Sequence, residues 1–339
     1  MKNKACSSSI FWDTAQDFIY HQLPDIRRLS QNTVLSYRDG LNHYIDFLET
    51  QKHRARKSIA FSDFDRGNLK DYLDWMLNKM HLSPKTCNLR LTGIRTLLEY
   101  ASAEHDELMP TYVAALRVKG AKISAGPIEY FEPGQMAAVL AAPDTAKKTG
   151  RRNQMLLILM YDTGARVSEI LDLKVGSLHL DSQIPYVTIL GKGRKYRNIP
   201  LTEKTLLHLK RYFQEFQTPP KCDYLFYASS YNECHRLSVD SVSAMLKKYA
   251  ATCVANGIEM PSKIHCHMVR KTRAMDLYRV GVPLTHIQQL LGHENLSTTG
   301  GFYAFVDLKT LDKSLQAANG GNAEKKWDNK EIQNKLYRL

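Results

Sequence analysis

The 339-residue sequence has no long apolar run. The longest apolar runs are Met136 to Ala142 and Met155 to Tyr161. Both are far shorter than the about 20 residues that a membrane-spanning helix needs. Residues 1–10 contain lysines and serines but lack the apolar core of a signal peptide. We therefore expect neither a membrane protein nor a secreted one, and the sequence predicts a cytoplasmic location.

Cysteines are few and scattered, and internal repeats are absent. No two of the six cysteines have C-x-x-C spacing, and the Cys266–His267 pair has no second local pair that could complete a zinc site. The pattern predicts reduced thiols, no disulfide framework and no metal site. The cysteines are Cys6, Cys87, Cys222, Cys234, Cys253 and Cys266.

Acidic residues are also scarce relative to basic ones. The chain has 34 Asp and Glu against 47 Lys and Arg, a formal net charge of +13, while its 43% hydrophobic and 24% charged residues are ordinary for a folded protein. A folded protein this basic most often binds a polyanion, and nucleic acid is the commonest one. The alternative is that the charge only keeps the protein soluble.

The length predicts two or three domains, and the first part of the chain has a helical pattern. After an extension over residues 1–10, residues 11–118 show helical spacing of apolar residues. Ser30 and the Ser83-Pro84 pair are typical of helix starts, and another helix is predicted to begin at Asn68. Residues 119–130 are basic, contain Gly and Pro and show no apolar period, which predicts an interdomain linker.

Residues 131–308 are predicted to form a second domain that is mainly helical with one small sheet. Tyr186 to Leu190 and Tyr196 to Leu201 flank a Gly-Lys-Gly-Arg turn, which predicts a β-hairpin. The expected fold class is therefore α+β, mainly α with a small β-sheet. A tail over residues 309–339 is predicted to end in a short amphipathic helix from Asp328 to Leu339, after a Gly-Gly-Asn break.

Cationic, imidazole and hydroxyl side chains recur in short contexts through the second domain. Taken singly, each context is weak, because a Gly-Lys-Gly turn is usually only a turn and a His three residues before an Arg is usually a surface pair. Their order over one basic domain is more specific: Arg166, Glu169, Lys192, His267, Arg270, His293 and Tyr303.

This ordered set resembles the tyrosine recombinase family, also called phage integrases. The segments that carry the resemblance are TGARVSEIL, GKGRKYRNIPL, HMVR and LLGHENLSTT, at residues 163–171, 191–201, 267–270 and 290–299. The resemblance covers the second domain and extends more loosely to the first, which looks like the core-binding domain of that family. It implies a two-domain DNA clamp, made of a helical core-binding domain with a SAM-like fold and a catalytic domain.

The resemblance also implies a reaction and a role for each residue. A tyrosine, here Tyr303, attacks a DNA phosphodiester and forms a 3′-phosphotyrosyl link that is later reversed, through a Holliday junction. Arg166, Arg270 and His293 would contact the phosphate, His267 would accept a proton, Lys192 would donate one, and Glu169 would hold Arg166. The bond energy stays in the link, and the sequence has neither a P-loop nor an acidic metal cluster, so we expect no cofactor and no metal.

The nucleophile departs from the usual pattern. In the common form of the family, the tyrosine follows the Gly-His histidine by nine residues, a position that Phe302 occupies here. Tyr303 comes one residue later, and the Tyr-Ala-Phe segment that it opens resembles the usual Tyr-x-His ending. We therefore assign Tyr303 and infer a one-residue insertion at Gly300-Gly301, where glycines tolerate an altered backbone.

The implied partners are double-stranded DNA recombination sites and three further copies of the chain, in a homotetramer whose C-terminal tails dock on neighbouring protomers. Two alternatives stay open: a type IB-like topoisomerase that uses the same nucleophile, and a non-catalytic DNA-binding regulator. Outside the catalytic set, the cations expected to contact DNA are Arg38, Lys85, Arg90, Arg95, Lys119 and Lys122. For each cation on the predicted helices, taken alone, a solvated surface position is favoured.

Overall fold

The computed structural model describes residues 8–123, 129–191, 195–217, 222–230 and 233–292. The chain divides into two compact units, Met1–Gly126 and Pro127–Leu339. Within those ranges, every helix is too short or too polar to cross a membrane.

The first unit is built from helices alone among its described residues. Two of them continue into π-helical turns, at Phe18–Ile26 and Trp75–Lys79, and short 3₁₀ turns lie at Arg56–Ser58, Phe61–Phe64 and Asp106–Leu108. The α-helices are α1 (Ser8–Asp17), α2 (Gln31–Lys52), α3 (Arg66–Asp74), α4 (Pro84–Glu104) and α5 (Met109–Leu116).

Side-chain caps set where these helices begin. Ser30 accepts a hydrogen bond from the backbone of Thr33, and Ser83 accepts one from Thr86, so the two serine starts are confirmed. The predicted start at Asn68 is wrong. Asp65 accepts hydrogen bonds from the N–H groups of Gly67 and Asn68, so α3 begins at Arg66.

The core of the first unit is rich in aromatic side chains and encloses one carboxylate. Asp63, whose side chain is 4% exposed, accepts hydrogen bonds from the Arg54 guanidinium (2.9 Å) and from the backbone of Ala60 (3.0 Å). Its own carbonyl accepts from the Tyr44 hydroxyl at 2.7 Å. These bonds tie the segment before α3 to α2.

The second unit contains α6 (Pro133–Ala141), α7 (Lys148–Thr163), α8 (Val167–Leu171), α9 (Glu203–Phe216), α10 (Val239–Ala255), α11 (Cys266–Arg279) and α12 (Leu284–Leu291). A 3₁₀ turn lies at Val175–Ser177. The strands are β1 (Leu178–His179), β2 (Tyr186–Leu190), β3 (Tyr196–Pro200), β4 (Tyr227–Ser230) and β5 (Glu233–Arg236).

Strands β1, β2 and β3 form an antiparallel sheet in that order. β2 and β3 pair in the register Val187 with Ile199 and Ile189 with Arg197, so the predicted hairpin is present, although β3 ends at Pro200. β4 and β5 form a second antiparallel pair. The prediction of one small sheet missed this pair, because its residues are mostly polar or small and do not alternate with apolar ones.

The helices of the second unit pack around the inward-facing residues of the sheet. Val187, Ile189 and Ile199 are buried in one core with Leu156 and Leu159 of α7. The five cysteines in the described ranges are free thiols: Cys87, Cys222, Cys234, Cys253 and Cys266. The predicted fold class, mainly α with small sheets, is confirmed.

We predict that Asp63→Ala lowers the free energy of unfolding of the first unit by about 2 kcal/mol, because the buried N–H group of Ala60 loses its acceptor and the half-exposed Arg54 loses its partner. Urea unfolding followed by tryptophan fluorescence checks this, since Trp12 and Trp75 both lie in this unit.

The matched control is Asp71→Ala. Asp71 pairs with Lys52 at the surface, where its side chain is 58% exposed, so its loss should cost less than about 1 kcal/mol. Equal losses of unfolding free energy from the two substitutions would show that the burial of Asp63 does not increase its contribution to stability.

Candidate active site

The site begins with a glycine in the left-handed backbone conformation. α7 ends at Thr163 and is capped by Gly164, whose φ of 58° favours glycine, and the chain turns there so that Arg166 lies directly before α8. A Cβ atom on Gly164 would come within 3.1 Å of Leu291 and 3.2 Å of Leu290. The turn therefore allows close packing of the chain before Arg166 against the end of α12.

Glu169 lies buried between two arginines. Its carboxylate accepts hydrogen bonds from the backbone and guanidinium of Arg166, both at 2.8 Å, and from the Arg197 guanidinium at 2.6 and 3.3 Å. Burial alone would raise the pKa of this carboxyl. The hydrogen bonds from Arg197 and Arg166 outweigh burial, so the Glu169 pKa lies below its ordinary value.

Arg197 is a site residue that our sequence analysis missed. It lies on β3, two residues before the buried Ile199, so the strand period places both side chains on the same inward face. Its side chain is only 11% exposed. An arginine at an inward-facing strand position needs a buried acceptor, and that pattern could have pointed to it.

Arg270 is 2% exposed and makes its contacts with backbone carbonyls. Its guanidinium donates to the carbonyl of Gly164 at 3.0 Å and to that of Leu291 at 2.6 Å, while its Nε–H has no partner in the described part of the chain. Burial, followed by the repulsion of Arg166, lowers its pKa to about 9. Arg270 thus ties the chain before Arg166 to the end of α12.

His267 lies in the first turn of α11, three residues before Arg270. The residue is exposed by surface area, yet the protein atoms around it desolvate the imidazole and lower its pKa, and the cations of Arg270 and Lys271 lower the pKa further, to about 4. The imidazole is therefore neutral near pH 7 and is free to accept a proton.

Four of the predicted site residues thus meet in one place, and three lie outside the described residues. Arg166, Glu169, His267 and Arg270 belong to the same cluster. Lys192, His293 and Tyr303 fall in 192–194 and 293–339. The structure describes the residues directly before two of them, Gly191 and Gly292.

The three residues of α4 that were predicted to contact DNA differ in how many protein groups they already contact. Lys85 is exposed at the start of α4. Arg90 is half-buried and donates to His43 at 2.7 Å, and it lines a surface cavity of about 380 Å³ between α2 and α4. Arg95 donates to the carbonyls of Ala115 and Val118, and so it stabilises the C-terminal end of α5.

The other three predicted contacts lie at the surface. Arg38, on α2, is exposed and lies 3.7 Å from the carboxylate of Asp39. Lys119 and Lys122, which follow α5, are exposed as well.

The cluster has more positive than negative charge at short range. Among the described residues, three guanidinium groups, of Arg166, Arg197 and Arg270, lie around one buried carboxylate, that of Glu169, which pairs with the first two. Fixed cations with spare N–H groups, in a partly desolvated site, stabilise oxyanions better than water does. A neutral imidazole beside them adds a proton acceptor, so the arrangement suits chemistry at a phosphate.

We predict that Glu169→Gln lowers the free energy of unfolding of the second unit by about 3 kcal/mol at pH 7, because two arginines lose their buried counter-charge. Since the pKa of Glu169 is lowered in the folded state, its contribution is present above the ordinary carboxyl pKa and is lost as the pH falls through the folded-state value. Hydrogen exchange of the α7 and α8 amides, compared between pH 7 and about pH 3, measures both effects.

The control for that substitution is Glu215→Gln. Glu215 accepts two hydrogen bonds from Arg151, at 2.7 and 2.6 Å, but this pair lies nearer the surface. We expect a cost below about 1 kcal/mol there. A gap between wild type and Glu169→Gln that stays constant down to about pH 3 would contradict the charge coupling.

We predict that His267 titrates near pH 4 in the free protein and that Lys271→Ala raises this pKa, because one neighbouring cation is removed. NMR titration of the imidazole ring protons measures both values. Adding duplex DNA should raise the pKa of His267, since a phosphate anion favours the protonated ring. A midpoint at or above 6.5 in the free protein would refute the neutral imidazole.

Comparison with known proteins gives a consistent result over most of the chain. The phage integrase family matches residues 129–309, and the N-terminal SAM-like domain of phage integrases matches residues 18–105. The integrase/recombinase y4rC of Sinorhizobium fredii is 30% identical over 286 residues, which cover 84% of each chain. The tyrosine recombinase XerC of Staphylococcus epidermidis is 29% identical over 303 residues, 89% of this chain and 95% of that protein.

Solved structures share the fold. The XerH site-specific recombinase bound to palindromic difH substrate has a TM-score of 0.67 at 21% identity, covering 93% of this chain and 85% of that chain. A lambda integrase tetramer bound to a Holliday junction has a TM-score of 0.66 at 16% identity, covering 88% and 78%. With the ordered motifs, the arginine–glutamate cluster and the family match on the second unit, the chain belongs to the phage integrase family of tyrosine site-specific recombinases.

Proposed function

We propose that this protein cleaves and rejoins DNA strands at specific sites, through a covalent link between Tyr303 and a DNA 3′-phosphate. The observation that carries the proposal is the cluster in which Arg166 and Arg197 flank Glu169 beside the buried Arg270. Three guanidinium groups balanced by one carboxylate leave an excess positive charge that a phosphodiester can neutralise.

The arginines stabilise the transition state. When a nucleophile adds to a phosphodiester, negative charge builds up on the non-bridging oxygens, and planar guanidinium groups can donate to two oxygens at once. Arg166 contributes its remaining N–H groups, and Arg270 contributes the Nε–H that has no partner among the described residues. Glu169 fixes the orientation of Arg166 before the substrate binds, which lowers the reorganisation needed during the reaction.

Proton transfers complete the reaction. A tyrosine hydroxyl has an ordinary pKa near 10 and is a weak nucleophile at neutral pH, so His267 accepts its proton as the oxygen attacks phosphorus. His267 is neutral in the free protein because its pKa is lowered, and the phosphate anion of the bound DNA raises that pKa so that the ring can hold the proton. The DNA 5′-oxygen leaves as the P–O bond breaks and takes a proton from Lys192, while His293 donates a hydrogen bond to a non-bridging oxygen. Reversal by a 5′-hydroxyl of a second strand rejoins the DNA.

We also propose how the protein assembles on its substrate. Two relatives of the same fold are seen with DNA: XerH on its difH substrate, and lambda integrase as a tetramer on a Holliday junction. By analogy, four copies of this chain would act on two duplex sites in the cytoplasm. The tail over residues 309–339 would dock on a neighbouring protomer, and the exposed Arg38, Lys85, Lys119 and Lys122 would contact the DNA backbone.

We predict that a suicide duplex, nicked so that cleavage releases a short strand, traps the wild-type protein as a covalent adduct. Tyr303→Phe should abolish the adduct, since it removes the attacking oxygen, whereas Phe302→Leu should retain it. The probe is a library of nicked duplexes with randomised sequence, and the adduct is detected by denaturing gel electrophoresis. Sequencing the trapped DNA then identifies the target site.

Each other outcome contradicts a stated part of the proposal. An adduct that survives Tyr303→Phe means that another residue is the nucleophile. An adduct on supercoiled DNA that leads to relaxation without recombinants favours the type IB-like topoisomerase. If no adduct forms with any duplex in the library, the non-catalytic regulator is favoured.

A further inference from the structure

We propose that Arg197 is a positioning residue that fixes three catalytic segments relative to one another: the chain at Arg166, the end of the β2–β3 hairpin before Lys192, and the end of α12 before His293. The inference rests on the proposed function, because it deepens the role of the same site. Arg197 is nearly buried, with 11% of its side chain exposed, and we assign it no direct contact with the phosphate.

The first contact of Arg197 is with the partner of Arg166. Its guanidinium donates to both oxygens of Glu169, at 2.6 and 3.3 Å, and Glu169 in turn accepts from the backbone and side chain of Arg166. The orientation of Arg166 therefore depends on a carboxylate that Arg197 holds from the other side.

The second contact is with the end of α12. The Nε–H of Arg197 donates to the carbonyl of Leu290 at 3.0 Å, one of the last carbonyls of the helix, which have no partner within the helix. A Cβ atom on Gly292 would come within 3.2 Å of the Arg197 Nη1, 3.3 Å of its Cδ and 3.4 Å of its Cζ. Gly292 also has a φ of 65°, so glycine is favoured there for two separate reasons.

The third contact is with the hairpin. A Cβ atom on Gly191 would come within 3.0 Å of the same Nη1 of Arg197, which is closer than real Cβ atoms normally approach. Gly191 also donates its N–H to the carbonyl of Lys195 at 2.8 Å, which joins the two strands at this end. The two glycines that directly precede Lys192 and His293 therefore lie against one guanidinium group.

Only arginine suits this position. A guanidinium group has five N–H donors in a rigid plane, so it can hold the two oxygens of Glu169 and the carbonyl of Leu290 in fixed directions. A lysine keeps the charge but offers a single flexible ammonium group. Arg197→Lys should therefore keep most of the charge balance of Glu169 and lose the geometry, which separates positioning from stability.

The control is Arg151→Lys. Arg151 makes the same kind of two-donor contact with a glutamate, Glu215, at 2.7 and 2.6 Å, but it lies on α7 away from the cluster. Both variants lose a guanidinium fork from a carboxylate. Only Arg197→Lys should lower the rate of adduct formation.

The decisive experiment compares two suicide duplexes of the trapped target sequence, one normal and one with sulfur in place of the 5′-bridging oxygen at the scissile phosphate. The sulfur leaves as a thiolate and needs no proton, so its release does not depend on Lys192. We expect Arg197→Lys to slow adduct formation about 100-fold on the normal duplex, as a displacement near 1 Å in an active site can. On the sulfur duplex we expect a smaller loss, about 10-fold, because the displacement of Arg166 and of the end of α12 still acts there while that of the hairpin before Lys192 does not. Arg151→Lys should match wild type on both.

Two results would overturn the inference. The first is a wild-type rate in Arg197→Lys on the normal duplex. The second is an equal loss on the two duplexes, which is what a weakened fold would give. If wild-type protein forms no adduct at all, the proposed function fails, and the positioning role is then judged by hydrogen exchange alone. The amides of Gly191 and Gly292 should exchange faster in Arg197→Lys than in Arg151→Lys. Equal exchange rates in the two variants would refute the positioning role.

Discussion

A single buried carboxylate, that of Glu169, is the constraint on which the catalytic unit depends. Removing a carboxylate from water is unfavourable unless it is paired and fully hydrogen-bonded, and Glu169 meets this condition with Arg166 on one side and Arg197 on the other. The arginines depend on Glu169 in turn, because Arg166 and Arg197 could not lie so near the buried cation of Arg270 without the negative charge of this carboxylate. The position of Glu169 therefore determines where three arginines can be.

The parts of the fold that were predictable from the sequence are those set by neighbouring residues. Serine caps, as at Ser30 and Ser83, act over three residues, and the hairpin of β2 and β3 is visible as a β-branched segment and a returning segment on either side of a glycine turn. The start of α3 was misplaced because Asp65 precedes two further residues with cap potential, and only the hydrogen bonds decide among them. The β4–β5 pair was missed because its stability comes from backbone pairing rather than from an apolar pattern.

The site, too, has contacts between neighbouring residues, which could be predicted, and contacts between distant ones, which could not. The contact between Arg166 and Glu169 could be anticipated, since residues three apart at a helix start lie together. The partners of Arg270 could not, because the carbonyls of Gly164 and Leu291 are 106 and 21 residues away in sequence. Arg197 was hidden for a similar reason. Its acceptors, Glu169 and Leu290, come from segments on either side of it that meet only in the folded chain.

The lowered pKa of Arg270 has a thermodynamic consequence for the free protein. A guanidinium group whose pKa falls to about 9 is one whose charge the folded state disfavours, first because the group is buried and then because Arg166 and Arg197 repel it. A phosphate that enters the cluster relieves that repulsion, so the anion acts as a counter-ion that completes the charge balance of the fold. Ligands that bind only the native state stabilise it by mass action. DNA is then both the substrate of this domain and a contributor to its folding free energy.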